Sequence, residues 1–155
     1  MSEAWIEGCP VQRIMFRDGL VISLGDYNEV VIAVPMWLTL PPAGKWPREI
    51  VCVDPKAILD EERPLFSISG STCTEARWND AGDLHMEFSD DHVIDVPHHD
   101  FDTAWEIYGK YHAGTWQVCR AARFVWCATT WRRKPGPNPF SSRSNPAPGW
   151  FVVTT

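Results

Sequence analysis

Several features that would point to a function are missing from this sequence. Its five cysteines include no CxxC pair and are odd in number, so they indicate neither a zinc ribbon nor a disulfide framework. No apolar run approaches the roughly 20 residues that span a membrane, and the start "MSEAWIEGCP" does not resemble a signal peptide. We therefore expect a cytoplasmic protein with reduced cysteines and no contact with a membrane.

Motifs of catalysis are missing as well. The serines lie in no G-x-S-x-G nucleophile elbow, and no glycine-rich loop is arranged to hold a phosphate. Cys73, in "GSTCTE", has no basic neighbour that would lower the pKa of its thiol. The sequence thus favours a non-enzymatic protein, and we assign no catalytic residue, no metal ligand and no cofactor.

Acidic residues are absent after Glu106. Residues 1–106 hold all 20 acidic groups and seven basic ones, a net of −13, whereas residues 107–155 hold seven basic groups and no acidic one. Such a division is typical of a basic arm that binds nucleic acid or an acidic partner. It also fits a C-terminal part that packs against the acidic body of the same chain, and we favour this second interpretation.

The composition is that of a globular protein. Of 155 residues, 45% are hydrophobic and 22% are charged, which is enough apolar material for one buried core. The nine tryptophans indicate either an aromatic core or surface rings used in recognition. We expect one compact β-rich domain over residues 1–134, followed by a proline-rich C-terminal tail over residues 135–155.

Two stretches have the pattern of a three-stranded meander. They are "CPVQRIMFRDGLVISLGDYNEVVIAVP" and "GSTCTEARWNDAGDLHMEFSDDHVIDVP", in which short apolar alternations are separated by turn residues. The turn at Asp18-Gly19 matches the turn at Asn79-Asp80-Ala81-Gly82, and the closing Val34-Pro35 matches Val96-Pro97. The two units therefore look like a pseudo-repeat in which each unit has one apolar face to bury.

The expected fold is mainly β (α+β), with the two related meanders forming a small sandwich or a partly open barrel. One short helix is expected near residues 100–109, because Asp100 or Asp102 can cap its start. Trp105 and Tyr108 would then share its inner face. Alternation within the meanders predicts a core made of Ile14, Phe16, Leu20, Ile22, Val31, Leu84, Met86, Phe88, Ile94, Val96 and Trp105.

A family resemblance rests on a set of short motifs: Asp18-Gly19, Val96-Pro97, Ala104-Trp105-Glu106, Gly109 and Val118-Cys119. Over roughly residues 6–120 the chain resembles an uncharacterised small-protein family common in actinobacteria, a domain of unknown function. After the Val-Cys pair this chain has "RAARFVWCATTW", which departs from the family's Pro-Gly-Gly turn. The resemblance supports the β fold and implies no activity.

The stretch "HVIDVPHHDFDTAWEIYG" concentrates histidine and aspartate at 92–109. His98 and His99 are adjacent, so in an extended chain their side chains point to opposite faces and make a poor ligand pair. His92, His98 and Asp100 would converge only if the chain folded back after Pro97. We favour a solvated strand end here over a metal or catalytic site.

Three functions stay open. The favoured one is a non-enzymatic intracellular binding protein, of the immunity or regulatory type, that offers an acidic, tryptophan-containing surface to a protein partner. The alternatives are a small metal-dependent hydrolase that uses the His/Asp corner at 92–102, and nucleic-acid contact through the basic C-terminal segment, which the acidic body disfavours. Self-association is left open. The candidate binding residues are His92, His98, His99, Asp100, Trp105, Arg132, Arg133 and Lys134.

Overall fold

The computed structural model describes residues 2–3, 5–100, 102–109 and 117–118. Within these residues the chain forms strands and two short 3₁₀ turns, at Gly25–Tyr27 and Arg63–Phe66, and contains no α-helix. The strands are β1 Ser2–Glu3, β2 Val11–Phe16, β3 Leu20–Leu24, β4 Asn28–Ile32, β5 Met36–Leu40, β6 Glu49–Val53, β7 Cys73–Trp78, β8 Leu84–Phe88, β9 Val93–Val96, β10 Trp105–Gly109 and β11 Gln117–Val118.

The strands form two antiparallel sheets. One has six strands in the order β1-β7-β8-β9-β5-β6, and the other has five in the order β11-β10-β4-β3-β2. Their inward side chains belong to a single hydrophobic cluster, so the two sheets cover each other's apolar faces as in a sandwich. The mainly β fold expected from the sequence is confirmed, and the sheets do not close into a barrel.

Each predicted meander forms three consecutive antiparallel strands, and each belongs to a different sheet. The first is β2-β3-β4 and the second is β7-β8-β9. Both have a register shift near the start of the first strand, between Val11 and Arg13 in one and between Cys73 and Glu75 in the other. That the two units are related copies, a pseudo-repeat, stays a prediction.

The strand register corrects one detail of the match between the meanders. Ile32 lies opposite Leu20, and Val96 lies opposite Leu84. Ile32, rather than Val34, therefore holds the position that Val96 holds in the second unit. The two units differ by two residues because the turn from Trp78 to Leu84 is longer than the turn from Phe16 to Leu20.

Backbone hydrogen bonds join the two meanders where each begins. The amide of Gly8 donates to the Cys73 carbonyl (2.8 Å), and the Cys73 amide donates to the Cys9 carbonyl (3.0 Å). The Val11 amide donates to the Ser71 carbonyl (2.7 Å), and the Gly70 amide donates to the Val11 carbonyl (2.8 Å). These four bonds hold one end of the first meander against the start of the second.

The core confirms the predicted alternation at most positions. In β3 and β8 every second residue is buried, and the confirmed core residues are Leu20, Ile22, Leu84, Met86, Phe88, Ile94, Val96 and Trp105. Ile14 and Phe16 are only partly buried and pack against this cluster. Val31 is wrong as a core residue: Val30 and Ile32 are fully buried, and neighbours along a strand face opposite sides.

The helix expected near residues 100–109 is wrong, because Trp105–Gly109 is strand β10. It pairs with β4, with Trp105 opposite Ile32 and Ile107 opposite Val30. Trp105 and Ile107 are buried, whereas Tyr108 is 36% exposed, so burial follows a period of two residues. Pairing with the free edge of β4 gives this segment five backbone pairs. These pairs stabilise the strand more than a helix cap at Asp100 or Asp102 would stabilise a helix.

The cysteines differ from the expectation at one position. Cys9 and Cys73 are free and buried, as expected, but Cys52 is disulfide-bonded. The expected cytoplasmic location stays a prediction. Among the described residues, no helix has the length and apolar character needed to cross a membrane.

Phe88 provides a direct test of the core. Its side chain is 3% exposed at the end of β8, so Phe88→Ala should lower the free energy of unfolding by about 3 to 5 kcal/mol. Val31→Ala, which removes methyl groups from the outward face of β4, should cost less than about 1 kcal/mol. Denaturant unfolding followed by circular dichroism measures both, and equal midpoints for the two variants would contradict the assigned faces.

Candidate binding face on the six-stranded sheet

The outward side of β7, β8 and β9 carries a group of charged side chains. Burial of Ala76, Met86 and Ile94 on the inward side fixes which residues point outward, because side chains alternate along a strand. The outward residues are Glu75, Arg77, His85, Glu87 and Asp95, and we call this set the acidic sheet face.

Strand register places these residues in two neighbouring rows. In one row Arg77 lies opposite His85, and His85 lies opposite Asp95. The same row continues to Trp37 on β5. In the next row Glu75 lies directly opposite Glu87. Opposed residues have their Cβ atoms about 4.5 to 5.5 Å apart, so five polar groups from three strands meet within one small area.

His85 is the centre of the acidic sheet face. Its Nδ1 lies 2.6 Å from Oδ1 of Asp95, and its Nε2 lies 3.1 Å from Oε1 of Glu87. Arg77 forms an ion pair with Glu75. The side chains of these five residues are between 23% and 45% exposed, so a partner or an ion in solution can reach them.

The electrostatics of the acidic sheet face follow from these contacts. The hydrogen bond with Asp95 raises the pKa of His85, burial opposes this shift, and the hydrogen bond with Glu87 adds to it. The imidazole therefore holds a proton more readily than a free histidine does. Even with His85 protonated, three carboxylates face two cations, so the set keeps a net negative charge.

His92 has a structural role in this fold. Its side chain is buried, with Nδ1 2.9 Å from Oδ2 of Asp90 and Nε2 3.2 Å from the carbonyl oxygen of Leu65. It thereby ties the 3₁₀ turn Arg63–Phe66 to the turn between β8 and β9. Both ring nitrogens are engaged, so His92 is not oriented toward the other histidines of the corner.

His98 and His99 have separate partners. Nδ1 of His98 lies 2.6 Å from Oδ1 of Asp83, and the His98 amide donates to the same oxygen at 2.9 Å. His99 is buried and accepts a hydrogen bond from the Asp102 amide at 3.2 Å. Asp100 is partly buried. Within the part of the chain that the structure describes, these residues do not converge on one point as a set of metal ligands.

Trp105 belongs to the core. Its ring is fully buried beside Trp78, and its indole Nε1–H donates to the Gly82 carbonyl at 2.8 Å. A partner cannot reach this ring without opening the sandwich. The remaining candidates, Arg132, Arg133 and Lys134, lie outside the described residues, so the nucleic-acid alternative that depends on them stays a prediction.

The candidate residues chosen from the sequence do not include the acidic sheet face. The pattern that indicates this face is present in "TEAR", "LHMEF" and "VIDV", where polar residues occupy every second position between buried ones. Aligning the three strands in meander order would have placed His85 between Arg77 and Asp95. Histidines close together in sequence at 92–99 form a more obvious pattern than groups that only strand pairing brings together.

The fold is that of a two-sheet antiparallel β protein, and the outer surface of its six-stranded sheet carries the acidic sheet face. The chain belongs to a family of unknown function (DUF6188), whose model matches residues 2–122. The resemblance to an uncharacterised family is thereby confirmed, while an actinobacterial origin stays a prediction. No curated protein matches the chain, and no solved structure matches it.

Asp83 makes the stability of the turn that holds His98 depend on pH. Burial raises the pKa of this carboxyl, but hydrogen bonds from the His98 amide, Asn79 and the His98 ring outweigh burial, so the pKa is lowered. A lowered pKa in the folded state stabilises the fold above the unfolded value near 3.8, and this contribution is lost as pH falls through the folded pKa.

Asp83→Asn tests this link between charge and stability. The free energy of unfolding of the variant at pH 7 should be about 1 kcal/mol lower than that of the parent protein. The value is modest because Asp83 is partly exposed to solvent. The difference from the parent protein should shrink as pH falls below about 4, because Asp83 becomes protonated first in the unfolded state and then, at lower pH, in the folded state. Unfolding at several pH values measures it, with exposed Asp80→Asn as control. A difference that stays constant down to pH 2 would contradict the assignment.

Proposed function

We propose that this protein is a non-enzymatic binding protein whose acidic sheet face recognises a positively charged partner protein. The observation that carries the proposal is the pairing of Glu75 with Glu87 directly across two strands, with Asp95 in the next row. Like charges that face each other across a sheet destabilise it. Arg77 and His85 offset part of this repulsion, and a cationic side chain from a partner would offset more of it, so the excess of carboxylates favours binding.

Trp37 adds an aromatic group to this surface. It continues the row of Arg77, His85 and Asp95, and it is partly buried rather than enclosed in the core. Recognition surfaces commonly combine an aromatic anchor with complementary charge. Charge also narrows the partner class, since the carboxylates repel the phosphates of nucleic acids and attract arginine or lysine.

The thiol and imidazole groups of the described residues do not favour catalysis. Burial, first of all, raises the pKa of the Cys73 thiol to about 12, so this cysteine stays protonated and is a poor nucleophile. His85 has carboxylates at both ring nitrogens, an arrangement that stabilises its charged form instead of freeing it to accept a proton. We therefore prefer binding to hydrolysis as the function.

Neutralising the opposed glutamates tests the proposed binding face. The double variant Glu75→Gln and Glu87→Gln should bind an arginine-rich peptide at least about tenfold more weakly than the parent protein, because two attractive charges are removed. Isothermal titration calorimetry at low and physiological salt measures this, and the parent's affinity should fall as salt rises.

A matched control removes the same charge elsewhere. Glu61 and Asp80 are exposed and lie outside the acidic sheet face, so Glu61→Gln with Asp80→Asn changes the net charge equally. This control should keep nearly all of the affinity. If both double variants lose the same affinity, binding depends on net charge alone and the proposed face is wrong.

A further inference from the structure

Three side chains from two strands, one imidazole and two carboxylates, converge on the acidic sheet face. One carboxylate oxygen each of Glu75 and Glu87 and one ring nitrogen of His85 all lie within 4.8 Å of one another. Ligands of a tetrahedral zinc ion lie about 3.3 to 3.6 Å apart, given bonds of roughly 2.0 to 2.2 Å. His85 Nε2 and Glu87 Oε1, at 3.1 Å, are close to this spacing.

Asp95 orients the imidazole in the way that metal-binding histidines require. Its carboxylate lies 2.6 Å from Nδ1 of His85, so Nδ1 carries a proton and donates to Asp95. The other nitrogen, Nε2, faces Oε1 of Glu87 at 3.1 Å, and a cation that binds there takes the place of the Nε2 proton, which is released to solvent. A carboxylate behind a histidine fixes the ring and increases the basicity of the ligating nitrogen.

The strands that carry the ligands bring the two glutamates together at a cost. Glu75 is held directly opposite Glu87, where the two charges repel. A register shift between Cys73 and Glu75 lies beside this pair, and irregularities of this kind redirect a side chain out of the regular ladder. A cation between the glutamates would turn the repulsion into an attraction.

We propose that Glu75, His85 and Glu87 form a site for one divalent transition-metal cation of the zinc class, with Asp95 as the positioning residue behind His85. One imidazole nitrogen and two carboxylate oxygens suit zinc better than calcium, which prefers six to eight oxygen ligands. Three protein ligands leave a fourth position for water. This site goes beyond the proposed function and does not rest on it, but a bound cation and a cationic partner side chain would compete for Glu75 and Glu87.

Arg77 is the internal competitor for this site. Its guanidinium pairs with Glu75, on the same strand, and about two-fifths of the Arg77 side chain is exposed. Exposed ion pairs are weak, so a cation can displace the guanidinium. Removing Arg77 should therefore strengthen metal binding, an effect opposite in sign to the loss expected from removing a ligand.

The test uses the full chain, freed of metal by a chelator and titrated with zinc chloride in a calorimeter. The parent protein should bind one zinc ion at this site, and His85→Gln should abolish that binding event. Arg77→Gln should tighten it by up to about fivefold. His98→Gln is the control, because His98 is also paired with a carboxylate but lies outside the ligand set.

Asp95 needs a measurement that separates positioning from folding. Cobalt(II) can replace zinc, and its visible absorption reports the ligands around the ion. Asp95→Asn should weaken cobalt binding about tenfold or more while leaving the shape of the saturated spectrum unchanged. A changed spectrum would mean that Asp95 is itself a ligand and would overturn its positioning role.

Two results would overturn the metal site itself. One is the absence of stoichiometric zinc binding by the parent protein. The other is zinc binding that survives in His85→Gln with unchanged affinity, since the ion would then occupy another part of the chain. Circular dichroism of each variant verifies that it is folded, so a loss of binding by His85→Gln in a folded chain supports the site directly.

Discussion

The alternation of side chains along β7, β8 and β9 is the constraint on which the outer surface of the six-stranded sheet depends. Ala76, Met86 and Ile94 are fully buried, and their burial leaves no freedom in the placement of their neighbours. A shift of one residue in any of these strands would expose the apolar set and bury the charged one. The energy of the core therefore fixes the acidic sheet face, even though none of its charged members belongs to the core.

The same principle explains how far the sequence could predict the fold. Apolar alternation and the turns at Asp18-Gly19 and 79–82 were enough to locate both meanders and most of the core. The strand at Trp105–Gly109 was wrongly predicted to be a helix, because five residues fit both the helical and the strand period. Pairing with the free edge of β4 decides between the two. That edge is created by tertiary structure and leaves no mark in the local sequence.

The acidic sheet face could not be found from the sequence for a related reason. His92, His98 and His99 are close together in sequence, but the structure gives each its own local partner. Glu75, His85 and Asp95 lie ten residues apart along the chain and meet only through strand register. Chemistry on the surface of a sheet is organised across strands, so motifs read along the chain tend to miss it.

We propose that the protein binds its partner through the outward face of β7, β8 and β9. Nuclear magnetic resonance tests this most directly: an isotope-labelled chain is titrated with an arginine-rich peptide while its backbone amide signals are recorded. The largest shifts should come from residues around Glu75, His85, Glu87 and Asp95. Shifts concentrated elsewhere, such as around the exposed Trp46 or after residue 118, would contradict it.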